Sequence, residues 1–189
     1  MDFRLPEKDT VLKRGIMKKY TKGLIGLHWL IATVVISMLS VSFFLEDLPK
    51  LIRPTAIMLH KSFGLTILLL MVIRLVWVCR AGRPELPLTM PSWEIWLARG
   101  VQAALYVFLI AMAMSGWIMS VLSDHTPVWF GLFRLPLPGV PHNRVWAELF
   151  FQGHQIIAWI VIALVCLHVA GALKHAIIDK DKVMESMLP

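Results

Sequence analysis

The sequence predicts an all-α integral membrane protein, a four-helix bundle with both termini in the cytoplasm. Of its 189 residues, 58% are hydrophobic and only 16% are charged, which departs from the balance of a soluble domain. Four apolar runs each reach the roughly 20 residues that a helix needs to cross a bilayer. Only a helix satisfies all of its own backbone polar groups in lipid at that length.

The four runs set the predicted organisation of the chain. They predict spans over residues 24–45, 52–79, 101–122 and 150–178. The first run is too long for the core of a signal peptide and no small-residue cleavage site follows it, so we expect it to be a retained span. Residues 1–23 then form a basic cytoplasmic arm, residues 24–178 a single membrane domain, and residues 179–189 a cytoplasmic tail.

Lysine and arginine residues predict the orientation. They concentrate in the N-terminal segment, in the connection between the second and third runs, and in the tail. The opposite side carries Lys50, Arg53, Lys61, Arg134 and Arg144. The positive-inside rule therefore places both termini of this multi-pass membrane protein in the cytoplasm. The formal net charge of +7 is explained by these flanking cations, so we expect the lipid bilayer and not nucleic acid as the partner of this charge.

Few ionisable side chains lie deep inside the predicted spans. They are His28, His60, Arg74, His154 and His168. Such groups are costly in lipid and usually face the bundle interior with a function. No aspartate or glutamate lies well inside a span, which argues against a di-iron carboxylate bundle and against a proton relay of acids.

The spacing of the histidines predicts two pairs at two depths. His154 and His168 are fourteen residues apart, which turns a helix by about 1400°, within about 40° of four full turns, and advances it by about 21 Å. Both therefore face one side, near opposite membrane surfaces. His60 lies at the outer level and His28 at the inner level, so His60 pairs with His154 and His28 with His168.

Two pairs of imidazoles at two levels are the ligand set of two stacked haems. Two axial imidazoles leave no open position on the iron, which favours electron transfer over oxygen binding. Zinc or copper would need three or four ligands at one point. Cys79 and Cys166 belong to no Cys-x-x-Cys-His sequence, so the predicted cofactors are two non-covalent haems b. A hydrogen-bonded packing role is the alternative for any single histidine.

Two further residues are candidates near the inner pair. Arg74 repeats the fourteen-residue interval from His60 and reaches the depth of His168, where a haem propionate would pair with it. An arginine that extends to the membrane surface is the alternative. His175 follows His168 by seven residues, about 10 Å further in, where it is a candidate to hydrogen-bond a quinone or pass a proton. An interfacial histidine without such a role is the alternative.

From about Tyr20 onward the sequence resembles the bacterial cytochrome b561 family. The segments that carry this resemblance are Leu27–Leu30, Leu59–Gly64, Met114–Trp117, Pro127–Phe133, His154 and Leu167–His175. The resemblance implies four helices, two non-covalent b haems, and axial ligands at His28, His60, His154 and His168. One type of member looks like a superoxide oxidase that passes electrons to membrane quinone. This chain departs from the pattern by its long basic arm and by Ala176, where a second histidine is expected.

We therefore expect a di-haem b-type cytochrome that carries electrons across the inner membrane. Its expected partners are a periplasmic one-electron donor, such as superoxide, and ubiquinone or another membrane quinone. The sequence leaves open whether the chain is an enzyme, a superoxide:ubiquinone oxidoreductase, or an electron carrier. A haem-bearing anchor subunit that docks a separate dehydrogenase or hydrogenase is the alternative, and a helical scaffold without redox function is a third.

Overall fold

Four long helices dominate the computed structural model, which describes residues 19–84 and 90–188. They are α1 (Lys22–Ser42), α2 (Arg53–Ala81), α3 (Ser92–Leu122) and α4 (Arg144–Lys174). All four are long and apolar enough to cross a membrane. The predicted all-α four-helix membrane fold is confirmed. Most of the predicted basic arm, residues 1–18, lies outside the described residues.

Side chains at the helix ends explain where these helices begin and stop. Thr21 caps α1, because its Oγ1 accepts a hydrogen bond from the backbone N–H of Leu24 at 3.4 Å. Asn143 caps α4, with its Oδ1 accepting the N–H of Trp146 at 3.1 Å. Gly82 ends α2 with a φ of 77°, a left-handed conformation that favours glycine.

Two helices begin earlier than the apolar runs predicted. The third begins at Ser92 and the fourth at Arg144, rather than at residues 101 and 150. The extra turns carry polar and charged residues such as Glu94 and Arg99. Hydropathy does not mark such polar turns as part of a span, so the apolar runs underestimated the length of both helices.

The protein core lies midway along the bundle. Ile31 and Val35 of α1 pack there with Ile67 and Met71 of α2, and consecutive helices contact each other along the chain. Among the described residues of α4, only Val161 is a buried hydrophobic residue. Much of the apolar surface of α4 therefore faces outward, as a helix in contact with lipid requires.

The connection between α3 and α4 folds back over one end of the bundle. Two short antiparallel strands, β1 (Val128–Trp129) and β2 (Phe133–Arg134), form a hairpin within it. The Oγ of the fully buried Ser62 on α2 accepts the backbone N–H of Phe130 at 2.9 Å. Pro127 is also fully buried. The hairpin thus covers this end of the bundle.

The C-terminal segment closes the opposite end. A π-helical turn, His175–Asp179, follows α4, and a short 3₁₀ helix, Met184–Met187, comes next. The indole N–H of Trp29 donates to the Met187 carbonyl at 2.8 Å, and the backbone N–H of Tyr20 donates to the Ser186 carbonyl at 3.4 Å. The tail is therefore attached to the beginning of α1.

Candidate haem-binding site

The four predicted histidines form two pairs at opposite ends of the bundle. His60 on α2 lies beside His154 on α4, with ring centroids 6.4 Å apart. His28 on α1 lies beside His168 on α4, with centroids 6.1 Å apart. We call the first, near the hairpin, the outer pair and the second, near the chain termini, the inner pair, following the predicted orientation. The pairing by depth is the pairing seen in the structure.

The spacing within each pair suits a shared metal ion. A metal–imidazole bond is about 2 Å long and each ring nitrogen lies about 1 Å from its ring centre, so two rings on one ion have centres about 6 Å apart. Two imidazoles in a direct hydrogen bond would be closer, since an N–H···N contact is about 3 Å and gives centres about 5 Å apart. Both pairs have the longer spacing.

A cavity surrounds the outer pair. It holds about 740 Å³ of empty space, including the part that is open to the surroundings. Its wall is largely apolar and includes His60, His154, Gly64 and Gly116. An apolar cavity with two facing imidazoles fits a haem.

Two small residues of α3 hold the imidazole of His154. Ser115 Oγ lies 3.0 Å from His154 Nδ1. A Cβ added at Gly116 would lie 3.1 Å from His154 Cε1, which is inside ordinary van der Waals distance. Both residues belong to the segment Met114–Trp117, which carries the family resemblance but predicts no role for either of them. The available signal was a pair of small residues within an apolar span at the depth of His154.

The other wall of the outer site contains His60 and Lys61. His60 Nδ1 is buried and has no hydrogen-bond partner among the described residues. Lys61 lines the cavity, and its Nζ donates to the carbonyl of His125 at 3.0 Å. From the sequence, Lys61 was predicted only as a flanking charge, although its position directly after the candidate ligand His60 places a cation at the cavity edge.

Glycines near the histidines have open space beside them. A Cβ added at Gly64, Gly153 or Gly171 would meet no protein atom within 4 Å. Gly64 also lines the outer cavity. Space of this kind next to a ligand helix is what the close approach of a flat macrocycle requires.

Arg74 lies buried in the bundle, with 9% of its surface exposed. Its Nε donates to Tyr106 Oη at 3.0 Å and its Nη1 to the Leu24 carbonyl at 3.4 Å. It does not extend to the membrane surface. Leu24 lies one helical turn before His28 on α1, so the guanidinium lies near the level of the inner pair. Within residues 19–84 and 90–188 it forms no ion pair with a carboxylate, so a buried cation next to the inner pair lacks an anion.

His175 belongs to a cluster of charged groups at the inner end. Its Nδ1 lies 2.8 Å from Asp181 Oδ2 and 3.2 Å from Asp179 Oδ2, and the residue is 8% exposed. The Nζ of Lys174 contacts both Glu94 and Asp179. Ligand atoms of Glu94, His175 and Asp179 lie within 4.8 Å of one another, but the Lys174 ammonium already contacts both carboxylates, at 2.8 and 2.7 Å. The cluster is therefore an ion-pair network, with Nδ1 of His175 engaged and Nε2 left for other contacts.

Comparison with known proteins identifies the family. Residues 19–189 match the family described as prokaryotic cytochrome b561. The chain belongs to the prokaryotic cytochrome b561 family. It is 32% identical over 166 residues to "Cytochrome b561 homolog 2" of Escherichia coli (strain K12), which covers 85% of this chain and 86% of that protein. It is 27% identical over 176 residues to "Probable superoxide oxidase CybB" of Yersinia pestis, which covers 91% of this chain and 97% of that protein.

Family membership establishes the general function. The chain is a bacterial membrane cytochrome that binds b-type haem and takes part in electron transfer. Both relatives match over most of their own length, so the similarity extends over the whole bundle. The b-type haem predicted from the histidines is the cofactor of the family.

Proposed function

We propose that this cytochrome binds two haems b, one at each histidine pair, and carries electrons across the bacterial inner membrane. The observation that carries the proposal is the presence of two imidazole pairs, each with its rings spaced for one metal ion. Each pair joins α4 to a different helix of the bundle. Because the two α4 histidines are about 21 Å apart along the helix axis, the two sites lie near opposite membrane surfaces.

The protein supplies ligands, orientation and a dry environment to these sites. When bound, haem supplies one-electron redox chemistry at its iron. His60 and His154 would hold the outer haem, and His28 and His168 would hold the inner one. With two protein ligands on each iron no coordination position would remain for oxygen, which suits electron transfer. The apolar core around Ile67 and Met71 separates the two sites and excludes water from the space between them.

Arg74 completes the inner site as a partner for a haem propionate. A buried guanidinium without an anion is unfavourable, and its two observed hydrogen bonds go to neutral oxygens. A propionate supplies the missing charge. The same cation also favours the reduced, more negative state of the inner haem.

We propose membrane quinone as the electron partner at the inner end and superoxide at the outer end. His175 is the candidate quinone residue, because Asp181 and Asp179 orient its Nδ1 and leave Nε2 free. In the neutral imidazole Nε2 would accept a hydrogen bond from a quinol hydroxyl, and in the protonated imidazole it would donate one to a quinone oxygen. The name of the Yersinia pestis relative, a probable superoxide oxidase, supports superoxide as donor. This orientation places both chain termini in the cytoplasm.

Ligand variants test the two-haem assignment. A pyridine haemochrome assay on the purified wild-type chain should give two haems per chain. His60→Ala and His154→Ala should each remove the same spectral component, and His28→Ala and His168→Ala should each remove the other. His125→Ala, which changes an exposed histidine of the outer connection, should retain both haems. Loss of one identical component in His60→Ala and His28→Ala would refute the assignment.

Turnover tests the electron partners. Superoxide generated by a separate enzyme should reduce the purified di-haem chain, and a soluble ubiquinone should reoxidise it over many cycles. A chain that contains both haems and accepts electrons only in the presence of a second protein would be an anchor subunit for a dehydrogenase or hydrogenase.

A further inference from the structure

We propose that Ser115 is a positioning residue for the outer haem. It holds His154 in the tautomer with Nδ1 protonated, so that Nε2 is the ligating nitrogen, and it lowers the reduction potential of that haem. This inference rests on the proposed binding of haem at the outer pair. Ser115 itself would touch neither the haem nor its iron, and acts through His154.

The direction of the hydrogen bond follows from counting protons. A serine hydroxyl has one proton to donate and two lone pairs. Ser115 Oγ lies 2.8 Å from the carbonyl oxygen of Met112, which can only accept, so the hydroxyl proton is used there. The 3.0 Å contact to His154 Nδ1 must then be an N–H that donates to the serine oxygen. Ser115 is 7% exposed, so water competes little for either contact.

The position of the ring agrees with this tautomer. A neutral imidazole with its proton on Nδ1 has its free lone pair on Nε2. From the position of a Cβ at Gly116, His154 Cε1 lies at 3.1 Å, Nδ1 at 3.4 Å and Nε2 at 4.0 Å. The protonated nitrogen is thus nearer to α3, and the lone-pair nitrogen points further from that helix. Gly116 supplies the space and Ser115 the orientation.

The hydrogen bond with Ser115 supports one histidine, His154 of the outer pair. His60, the opposite ligand, has a buried Nδ1 with no partner among the described residues. In the same part of the chain, the rings of His28 and His168 form no side-chain hydrogen bond comparable to the one between His154 and Ser115. A change at Ser115 should therefore alter the outer haem and leave the inner one as it is.

The effect on potential has a definite sign. A hydrogen-bond acceptor at the non-ligating N–H makes an imidazole more basic. A more basic ligand stabilises the oxidised iron, which carries the higher positive charge, more than the reduced iron. Ser115 therefore lowers the reduction potential of the outer haem, and its removal should raise it.

The test is Ser115→Ala in the full-length protein with its haems bound. We expect both haems to be retained and the ratio of oxidised to reduced outer haem at a fixed potential to fall by up to about tenfold. That change corresponds to an upward shift of up to about 59 mV for a one-electron couple. The potential of the inner haem should stay unchanged. Ser115→Thr, which keeps the hydroxyl, should return the outer potential toward the wild-type value.

A second measurement reports ring orientation. The two rings of the outer pair are inclined by 70°, and the electron paramagnetic resonance signal of an oxidised low-spin haem depends on the angle between its axial imidazole planes. Ser115→Ala should shift this signal for the outer haem only. Ser120→Ala is the matched control, because Ser120 is a buried serine of the same helix and should leave both signals and both potentials unchanged.

The possible outcomes separate the proposal from a general structural effect. An unchanged outer potential in Ser115→Ala with both haems bound would overturn it, as would equal shifts of both haems. Loss of the outer haem in Ser115→Ala but not in Ser115→Thr would support it, whereas equal loss in both would overturn it. If the His60 and His154 variants retain every haem of the wild type, the outer pair does not bind haem and the proposed function is wrong at this site. The histidine variants show this without any change at Ser115.

Discussion

Gly116→Ala is the sharpest test of the outer site, because the structure shows what the new methyl group would meet. The added Cβ would lie 3.1 Å from Cε1 and 3.4 Å from Nδ1 of His154. Carbon atoms in good contact are about 3.5–4.0 Å apart, so the imidazole must move by a few tenths of an ångström. That movement also disturbs its hydrogen bond with Ser115.

The expected cost follows from this overlap. Inserting a methyl group into a packed site costs about 1–3 kcal/mol, and the flexible end of a side chain is the group that must yield. If the helices hold their positions, the cost falls on the haem-bound state, in which the ring orientation is fixed. This range corresponds to about a 5-fold to 150-fold weaker retention of the outer haem.

Haem transfer to an excess of a soluble haem-binding acceptor measures this retention. The outer component should leave Gly116→Ala faster than wild type, while the inner component leaves both at the same rate. Gly100→Ala is the control, because a Cβ at this position on the same helix meets nothing within 4 Å. If Gly116→Ala loses its outer haem at the same rate as the wild type, His154 is not oriented by α3 in the haem-bound protein.

Three further predictions concern the space and the charges around the haems. Gly64→Ala meets no protein atom within 4 Å, so it should fold normally yet lower the content of outer haem; full occupancy would place the macrocycle elsewhere. Arg74→Ala should keep both haems and lower the inner potential, since it removes a cation that favours the reduced state; redox titration showing a shift of the outer haem instead would contradict this. His175→Ala should leave the haem spectrum intact and slow the reduction of a soluble quinone in stopped flow, with Lys174→Ala less affected; wild-type rates would make His175 an interfacial histidine without this role.

The sequence was sufficient to predict the bundle and the depths of the histidines. Lipid permits only helices at the length of the four apolar runs, and the helix rise then converts the interval between His154 and His168 into a depth. Depth alone matched each of them with a histidine on another helix. No information on tertiary contacts was needed, because the membrane restricts the arrangement of the spans so strongly.

The residues that support the site could not be found in the same way. Ser115 and Gly116 lie on a helix without a histidine, lysine, arginine or carboxylate in its predicted span, so nothing in the sequence fixes how α3 is rotated relative to His154. A serine in a membrane helix has many packing roles, and only the contact distances identify this one. The attachment of the tail through Trp29 and Met187 was equally hidden, since a short polar segment has no periodicity.

The two sites differ in a way that bears on the direction of electron flow. In the proposed assignment, Ser115 stabilises the oxidised state of the outer haem through His154. Arg74 stabilises the reduced state of the inner haem through its charge. Both effects lower the outer potential relative to the inner one, so they add and favour movement of electrons from the outer pair to the inner pair. The difference between the inner and the outer reduction potential, inner minus outer, should therefore fall more in the double variant Ser115→Ala with Arg74→Ala than in either single variant. Because the two side chains act on separate haems, their shifts should be additive. A double variant in which the inner potential rises relative to the outer one would contradict this assignment of direction.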